Sequence, residues 1–170
     1  MDFVRKNNKE YLILMAGLDE TGKTRILECL RPFHKETSPI KTIGFDVENF
    51  IYKNINITIL NIGGRDKIRP LWRHYYENTH GLIFVVDSFD QRKLIGAKDE
   101  LWSLLCEVKL TNAPILILTN NDNVEGALSI EEIIIKLGLN LLIDRIWKVN
   151  KIKDLLEGLE WMLKLKIGKR

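Results

Sequence analysis

The chain has little cysteine, and it has no apolar stretch long enough to suggest a membrane span. Its two cysteines, Cys29 and Cys106, fall in separate expected helices without CxxC spacing and without a secretory leader. That excludes a disulfide scaffold and is the pattern of free thiols in a reducing compartment, with the cytosol as default. The segment Met1-Asp2-Phe3-Val4-Arg5-Lys6 has no apolar core of signal-peptide length, and the longest apolar runs fall far short of the ~20 residues of a membrane helix. Asp2 in place of glycine excludes N-myristoylation. A strong charge of one sign is missing as well: the net charge is +3, and no aromatic residues interleave with a basic stripe, so nucleic acid is not an expected partner. Internal repeats and low-complexity linkers are absent. With 45% hydrophobic and 29% charged residues, the composition is that of one globular domain over 1–170, large enough for a sheet covered by helices on both faces, with 1–10 as a short N-terminal extension.

What is present is a phosphate loop. Gly17-Leu18-Asp19-Glu20-Thr21-Gly22-Lys23-Thr24 reads G-x-x-x-x-G-K-[ST], directly after the apolar run Tyr11 to Ala16 and before the helix-like Thr24 to Leu30. In that strand-loop-helix context, successive backbone N–H groups and a helix N-terminus converge on phosphate oxygens. Gly17 and Gly22 supply backbone freedom, Lys23 a point charge for β- and γ-phosphates, and Thr24 a hydroxyl for Mg²⁺.

Apolar runs alternate with helical periodicity along the rest of the chain: Gly81 to Asp87, Gln91 to Val108, Pro114 to Thr119, Ser129 to Leu137, a short strand around Ile146 to Val149, and a closing helix from about Lys151 to Leu165. This βαβα order predicts an α/β fold with a mostly parallel, doubly wound sheet. Phe45 to Tyr52 and Ile55 to Ile62, joined by Lys53-Asn54, alternate instead and predict an antiparallel hairpin. Arg31 to Gly44, holding Pro32 and Pro39, reads as a loop of functional length. Ligands of such sheets bind beyond the carboxyl ends of the strands, so Thr42, Gly63-Gly64 and Asn120 to Asn123 are expected to gather around the phosphate loop.

Three further segments carry a family resemblance: Thr42-Ile43-Gly44-Phe45, Asp66-Lys67-Ile68-Arg69-Pro70-Leu71-Trp72-Arg73-His74-Tyr75-Tyr76, and Gly81-Leu82-Ile83-Phe84-Val85-Val86-Asp87-Ser88. With the closing Leu156-Glu157-Gly158-Leu159-Glu160-Trp161, they resemble the ADP-ribosylation factor (Arf) family of small GTPases from about Tyr11 to Leu163. The resemblance implies a P-loop small-GTPase fold with a six-stranded sheet. It also implies a GTP/GDP-binding switch that uses Mg²⁺, recruits effector proteins in intracellular vesicle traffic, and is loaded by a Sec7-type exchange factor. By position, Thr42 would be the switch I threonine sensing Mg²⁺ and the γ-phosphate, and Gly64 the switch II glycine on that phosphate. Asp19 also fits the family's phosphate loop. Phe45, Leu60 and Tyr75 would form the effector surface, with Leu60 standing where the family has Trp. A monomer at endomembranes such as the Golgi through its partners is the implied state.

The chain departs from the family at the sites of chemistry. The family's switch II Asp-x-Gly-Gly-Gln is here Asn61-Ile62-Gly63-Gly64-Arg65. Asn61 keeps an acceptor near Mg²⁺ but loses the charge. Arg65 stands at the catalytic position of the family's water-orienting glutamine, and a guanidinium cannot accept a hydrogen bond, so slow or absent hydrolysis is expected. A cis arginine finger is the alternative. The family's Asn-Lys-x-Asp is here Asn120-Asn121-Asp122-Asn123. The amide of Asn123 cannot accept from both guanine N1–H and the exocyclic amine, while it matches xanthine's N1–H and C2 carbonyl, so relaxed base choice or XTP binding is expected. A loop shifted by one residue would make Asp122 the reader. The third base-recognition loop is replaced by Lys151 to Leu155, several residues too short.

The remaining candidates read as structural. His34, His74 and His80 share no metal-ligand spacing. Trp72, Trp102, Trp147 and Trp161 read as core or interface residues. Lys164, Lys166, Lys169 and Arg170 form a basic tail expected to be solvated and to anchor weakly or not at all to membranes. The segment holding Phe3 and Val4 is shorter than the family's membrane helix. Two rival classes remain beside the switch: a pseudo-GTPase module that binds proteins independently of nucleotide, and a small-molecule kinase, for which no acceptor lid is evident.

Overall fold

Six apolar segments of the chain become the strands of one sheet: β1 (Lys9–Ala16), β2 (Phe45–Tyr52), β3 (Ile55–Ile62), β4 (Gly81–Asp87), β5 (Ile115–Asn120) and β6 (Trp147–Lys151). The computed structural model describes residues 9–34, 45–62 and 76–167. The strand order is β2-β3-β1-β4-β5-β6. Among the described strands only the β2–β3 pair is antiparallel; β1 runs parallel to both β3 and β4, and β4–β5 and β5–β6 are parallel too. Among the described residues the helices are α1 (Lys23–Leu30), α2 (Gln91–Leu105), α3 (Ile130–Leu137) and α4 (Leu155–Ile167).

Consecutive side chains of a strand face opposite ways, and here both faces are apolar, so the sheet carries two cores. Leu14, Leu82, Phe84 and Ile117 pack with Leu101 of α2 and Ile133 of α3, whereas Ile13, Met15, Ile83 and Leu116 pack with Ile26 of α1 and Leu159 of α4. The doubly wound α/β expectation therefore holds. The hairpin register runs from Phe45 opposite Ile62 to Tyr52 opposite Ile55. Its turn residues Lys53 and Asn54 both have positive φ, 48° and 62°, the two-residue geometry that matches strand twist.

Local signals fix the helix ends. Asp90 accepts from the N–H groups of Arg92 and Lys93 to start α2. Ser129 and Glu132 form a reciprocal capping box on α3, and Gly138 ends that helix at φ 72°. Several boundaries differ from the sequence expectation, notably at α2, β6 and α4. Helix α2 stops at Leu105, and Val108–Leu110 forms a separate 3₁₀ turn; Arg145 reaches back and donates to Leu105 O at 3.2 Å and Leu110 O at 2.8 Å, satisfying carbonyls that a longer helix would have used. Strand β6 runs to Lys151, and a 3₁₀ turn, Ile152–Asp154, precedes α4.

At the amino ends of the strands, the Tyr11 hydroxyl lies within bonding distance of His80 O (3.1 Å) and Met162 O (3.2 Å). The His80 Nδ1 accepts from Leu12 N at 2.9 Å, which makes this histidine a packing residue. Trp102 is tied into the α2–α3 layer by its indole N–H, 2.8 Å from Leu137 O. Lys166 is held to β1, with Nζ 2.8 Å from Glu10 O and 5.1 Å from the Tyr11 ring centroid. That part of the basic tail is docked, while Lys169 and Arg170 lie outside the described residues, as do 1–8, with Phe3 and Val4, and His74 and Trp72.

Candidate functional site

The carboxyl ends of β1, β3, β4 and β5 converge on the loop after β1. Gly17 leaves the strand at φ 148° and passes so close to β4 that a Cβ there would lie 2.6 Å from Val85 O, so glycine is required. Glu20 (φ 61°) and Gly22 (φ 111°) turn the chain into α1. Thr21 Oγ1 donates to Leu18 O at 2.8 Å. Gly22 caps α1 without a side-chain hydrogen bond, and the first turn carries no acidic residue, leaving the helix N-terminus open to an anion.

Lys23 is only 9% exposed. Its ammonium donates to Gly17 O and Leu18 O, which holds Nζ over the loop and leaves one of its three donors for another acceptor. Burial lowers its pKa, against the opposing pull of Asp19 and Glu100. An anion lying along the loop restores the lost solvation, so the loop fits phosphate.

On the α1 side, Thr24 and Asn61 line a cavity of about 470 Å³ with Glu28, Arg31, His34 and Glu48. Asn61 Oδ1 is buried without a hydrogen-bond partner among the described residues. An orphaned acceptor of this kind costs about 1–3 kcal/mol. Thr24 brings a hydroxyl and Asn61 an amide oxygen to the lining of one cavity, oxygen donors of the kind a hard cation takes, so the residues present fit Mg²⁺, with less charge than a carboxylate would bring. His34 Nε2 lies 3.3 Å from Glu48 Oε2, and no cluster of three or more His, Cys, Asp or Glu suited to a metal exists among the described residues.

On the β5 side, Asn120 is 8% exposed and donates from Nδ2 to Thr21 O at 3.2 Å, locking the base loop to the phosphate loop. A Cβ on Gly22 would lie 2.4 Å from that Nδ2. Arg25 Nη1 donates to Asn120 Oδ1 at 2.9 Å. Asn121, at φ 58°, donates to Asp87 Oδ2 at 3.1 Å, while Asp87 Oδ1 accepts from Phe89 N and Asp90 N. Asp122 is paired with Lys151 at 3.0 Å, and Asn123 is exposed. Beyond β6 the chain enters the 3₁₀ turn and α4 at once, with Asn150 Nδ2 bonded to Asp154 O at 3.3 Å. No further loop lies between them.

Against known proteins, the family model described as "ADP-ribosylation factor family" matches residues 1–165. The chain belongs to the ADP-ribosylation factor family. Among solved structures it is similar to the Arl6 BBS3 small GTPase from Trypanosoma brucei with bound nucleotide analogue GppNp, at 28% identity and a TM-score of 0.78, over 92% of this chain and 97% of that one. This Arf-family chain therefore has the small-GTPase fold and belongs to a class of GTP-binding switch proteins whose members use guanine nucleotide and Mg²⁺ and bind effectors.

Of the residues expected at the site, Gly17 to Thr24, Asn61, Asn120 and Asn121 meet at one end of the sheet. Thr42, Gly64, Arg65 and Tyr75 lie outside the described residues, and Phe45 opens β2 without a described side chain. Leu60 requires a correction. It is 4% exposed and packed into the core with Leu14 and Leu82, so it supports the hairpin from beneath and presents almost no surface to a partner; a leucine is short enough to stay in that core. The sequence reading overlooked Arg25, Asp87, Lys151 and Lys93, whose Nζ is 3.7 Å from Glu20 Oε2. Arg25 stands two residues after Lys23 and Asp87 ends a strand at the active edge, and both positions were signals available in the sequence.

Proposed function

We propose that this Arf-family protein is a divergent nucleotide switch that binds a nucleoside triphosphate with Mg²⁺, hydrolyses it slowly or not at all, and selects guanine weakly. The observation that carries the reading is an intact phosphate loop, closed by Lys23 and tied to Asn120, beside a base loop that has lost its carboxylate. In this proposal Lys23 holds the β- and γ-phosphates, Thr24 and Thr42 face the metal with Asn61 behind them, and the N–H of Gly64 meets the γ-phosphate. Bound Mg²⁺ would neutralise charge on the phosphates. Arg65 donates but cannot accept, so no group at that position orients an attacking water. Asn121 is engaged by Asp87 and Asp122 by Lys151, which leaves Asn123 to face the base with one acceptor and one donor.

The protein would then act through its hairpin and switch surface by recruiting effectors in vesicle traffic, as a cytosolic monomer brought to endomembranes by partners and loaded by a Sec7-type factor. The bound analogue of the trypanosomal relative supports nucleotide binding by this fold. The eroded base loop also favours a second reading, a protein-binding module indifferent to nucleotide. Lys23→Ala separates the two: the switch predicts that the parent binds triphosphate by calorimetry and that the variant loses about 1.5–3 kcal/mol of affinity, the worth of a charged hydrogen bond. No binding by the parent favours the nucleotide-independent module, and equal binding by both overturns the role given to Lys23.

A further inference from the structure

Strand β6 ends at Lys151, and the chain turns at once through Ile152–Asp154 into α4. No loop separates the strand from that turn, so what this side of the sheet brings to the base loop is a side chain rather than backbone. Lys151 is in register with Thr119, the residue before Asn120, and its Nζ lies 3.0 Å from Asp122 Oδ2. Asp122 and Asn123 are the two central residues of a turn that Val124 N closes by donating to Asn121 O at 3.3 Å. The ammonium is therefore seated on the turn that carries Asn123. Side-chain exposures of 36% for Lys151 and 27% for Asp122 leave the pair open on one flank. An ammonium has three N–H donors and no acceptor, and Asp122 is its partner among the described residues, so donors remain for a ligand.

We infer that Lys151 is a specificity-determining residue of the base site, donating to the C6 carbonyl of an oxopurine. The inference rests on the nucleotide binding proposed above and deepens it. Along the polar edge of a purine the order is C2 substituent, N1, C6 substituent. Asn123, facing that edge, spends its amide on the first two, and the C6 substituent is left for the next polar group beside the turn. Lys151 only donates, so it matches a C6 carbonyl and opposes the C6 amine of adenine. The site thus keeps a preference for 6-oxo purines although it has no carboxylate free to read the C2 amine of guanine. Asp122 is a positioning residue: it holds Nζ against the turn, so the flexible four-carbon stem has less rotamer freedom to lose when a base arrives.

The test is calorimetry of the parent, Lys151→Met and Asp122→Asn with ITP, ATP and inorganic tripolyphosphate in the presence of Mg²⁺. ITP carries a C6 carbonyl and no C2 substituent, which isolates the Lys151 contact from the donor half of the Asn123 amide, and tripolyphosphate has no base at all. The parent is expected to bind ITP more tightly than ATP. Lys151→Met should weaken ITP about tenfold or more, the loss of a charged hydrogen bond, with tripolyphosphate unchanged and ATP unchanged or tighter. Asp122→Asn keeps the ammonium and should lose less ITP affinity than Lys151→Met. A loss of the same size for ATP would mark a contact blind to the C6 group and overturn the inference, as would a loss for tripolyphosphate, which marks the general pull of a cation on an anionic ligand. It is overturned too if Asp122→Asn is as weak as Lys151→Met, since Lys151 would then serve only to hold the turn. If Lys23→Ala weakens ITP while Lys151→Met leaves it intact, the switch stands and this inference falls; if the parent binds none of the three, both fall.

Discussion

Replacing Gly22 by alanine tests the join between the phosphate loop and the base loop. At φ 111° and ψ 17°, Gly22 occupies backbone that an L side chain rarely adopts, and forcing alanine there costs about 1–3 kcal/mol. Its Cβ would also lie 2.4 Å from Asn120 Nδ2 and 3.0 Å from Asn120 Cγ, displacing the amide from Thr21 O and removing a hydrogen bond worth about 0.5–1.5 kcal/mol. The stiffer unfolded chain returns about 0.4–1 kcal/mol. The net expectation is a loss of about 2–3 kcal/mol, a large part of the roughly 5–15 kcal/mol typical of a domain. Urea unfolding should show a lower midpoint with an unchanged m-value. In the background of Asn120→Ala the clash is gone, and Gly22→Ala should cost about 0.5–1.5 kcal/mol less. Strict additivity of the two substitutions, or an alanine variant as stable as the parent, would refute the close-approach argument.

Arg65→Gln should raise single-turnover phosphate release, because glutamine can both accept from and donate to the attacking water; a parent already faster than the variant would instead support an arginine finger in cis. Gly158→Ala in α4 sets helix propensity, a gain of about 1 kcal/mol, against a Cβ 2.7 Å from the fully buried Leu116 Cδ2. Overpacking of that kind costs about 1–3 kcal/mol, so thermal unfolding should show a net loss of about 1 kcal/mol, and a stabilised variant would show that Leu116 repacks freely.

The fold was legible wherever periodicity and turn chemistry agreed. Phe45–Tyr52 and Ile55–Ile62 alternate cleanly around Lys53-Asn54, and the hairpin has those bounds. The capping box at Ser129 and the glycine at 138 mark α3 in the same way. Helix α2 ended early because its last carbonyl partners come from Arg145, 40 residues away from Leu105, a contact no local pattern encodes. The phosphate loop was readable because its chemistry is local. The side chains that occupy the base loop were not: Asp87 holds Asn121 and Lys151 holds Asp122, and both pairings depend on strands that are neighbours in space only. Analogy of position assigns Leu60 to a surface, whereas its size and apolar character suit it to the core it occupies.

Competition binding of xanthosine and guanosine triphosphates to the purified protein tests the central claim most directly, since phosphate contacts are common to both and only the base differs. With Asn123 facing the base, guanine's exocyclic amine meets an N–H donor while xanthine's C2 carbonyl finds one, a difference of about 1–3 kcal/mol. The parent should therefore bind XTP more tightly than GTP, and Asn123→Asp should reverse the order. A strong preference of the parent for GTP would contradict the account and move base reading to Asp122, released from Lys151 by a shifted loop.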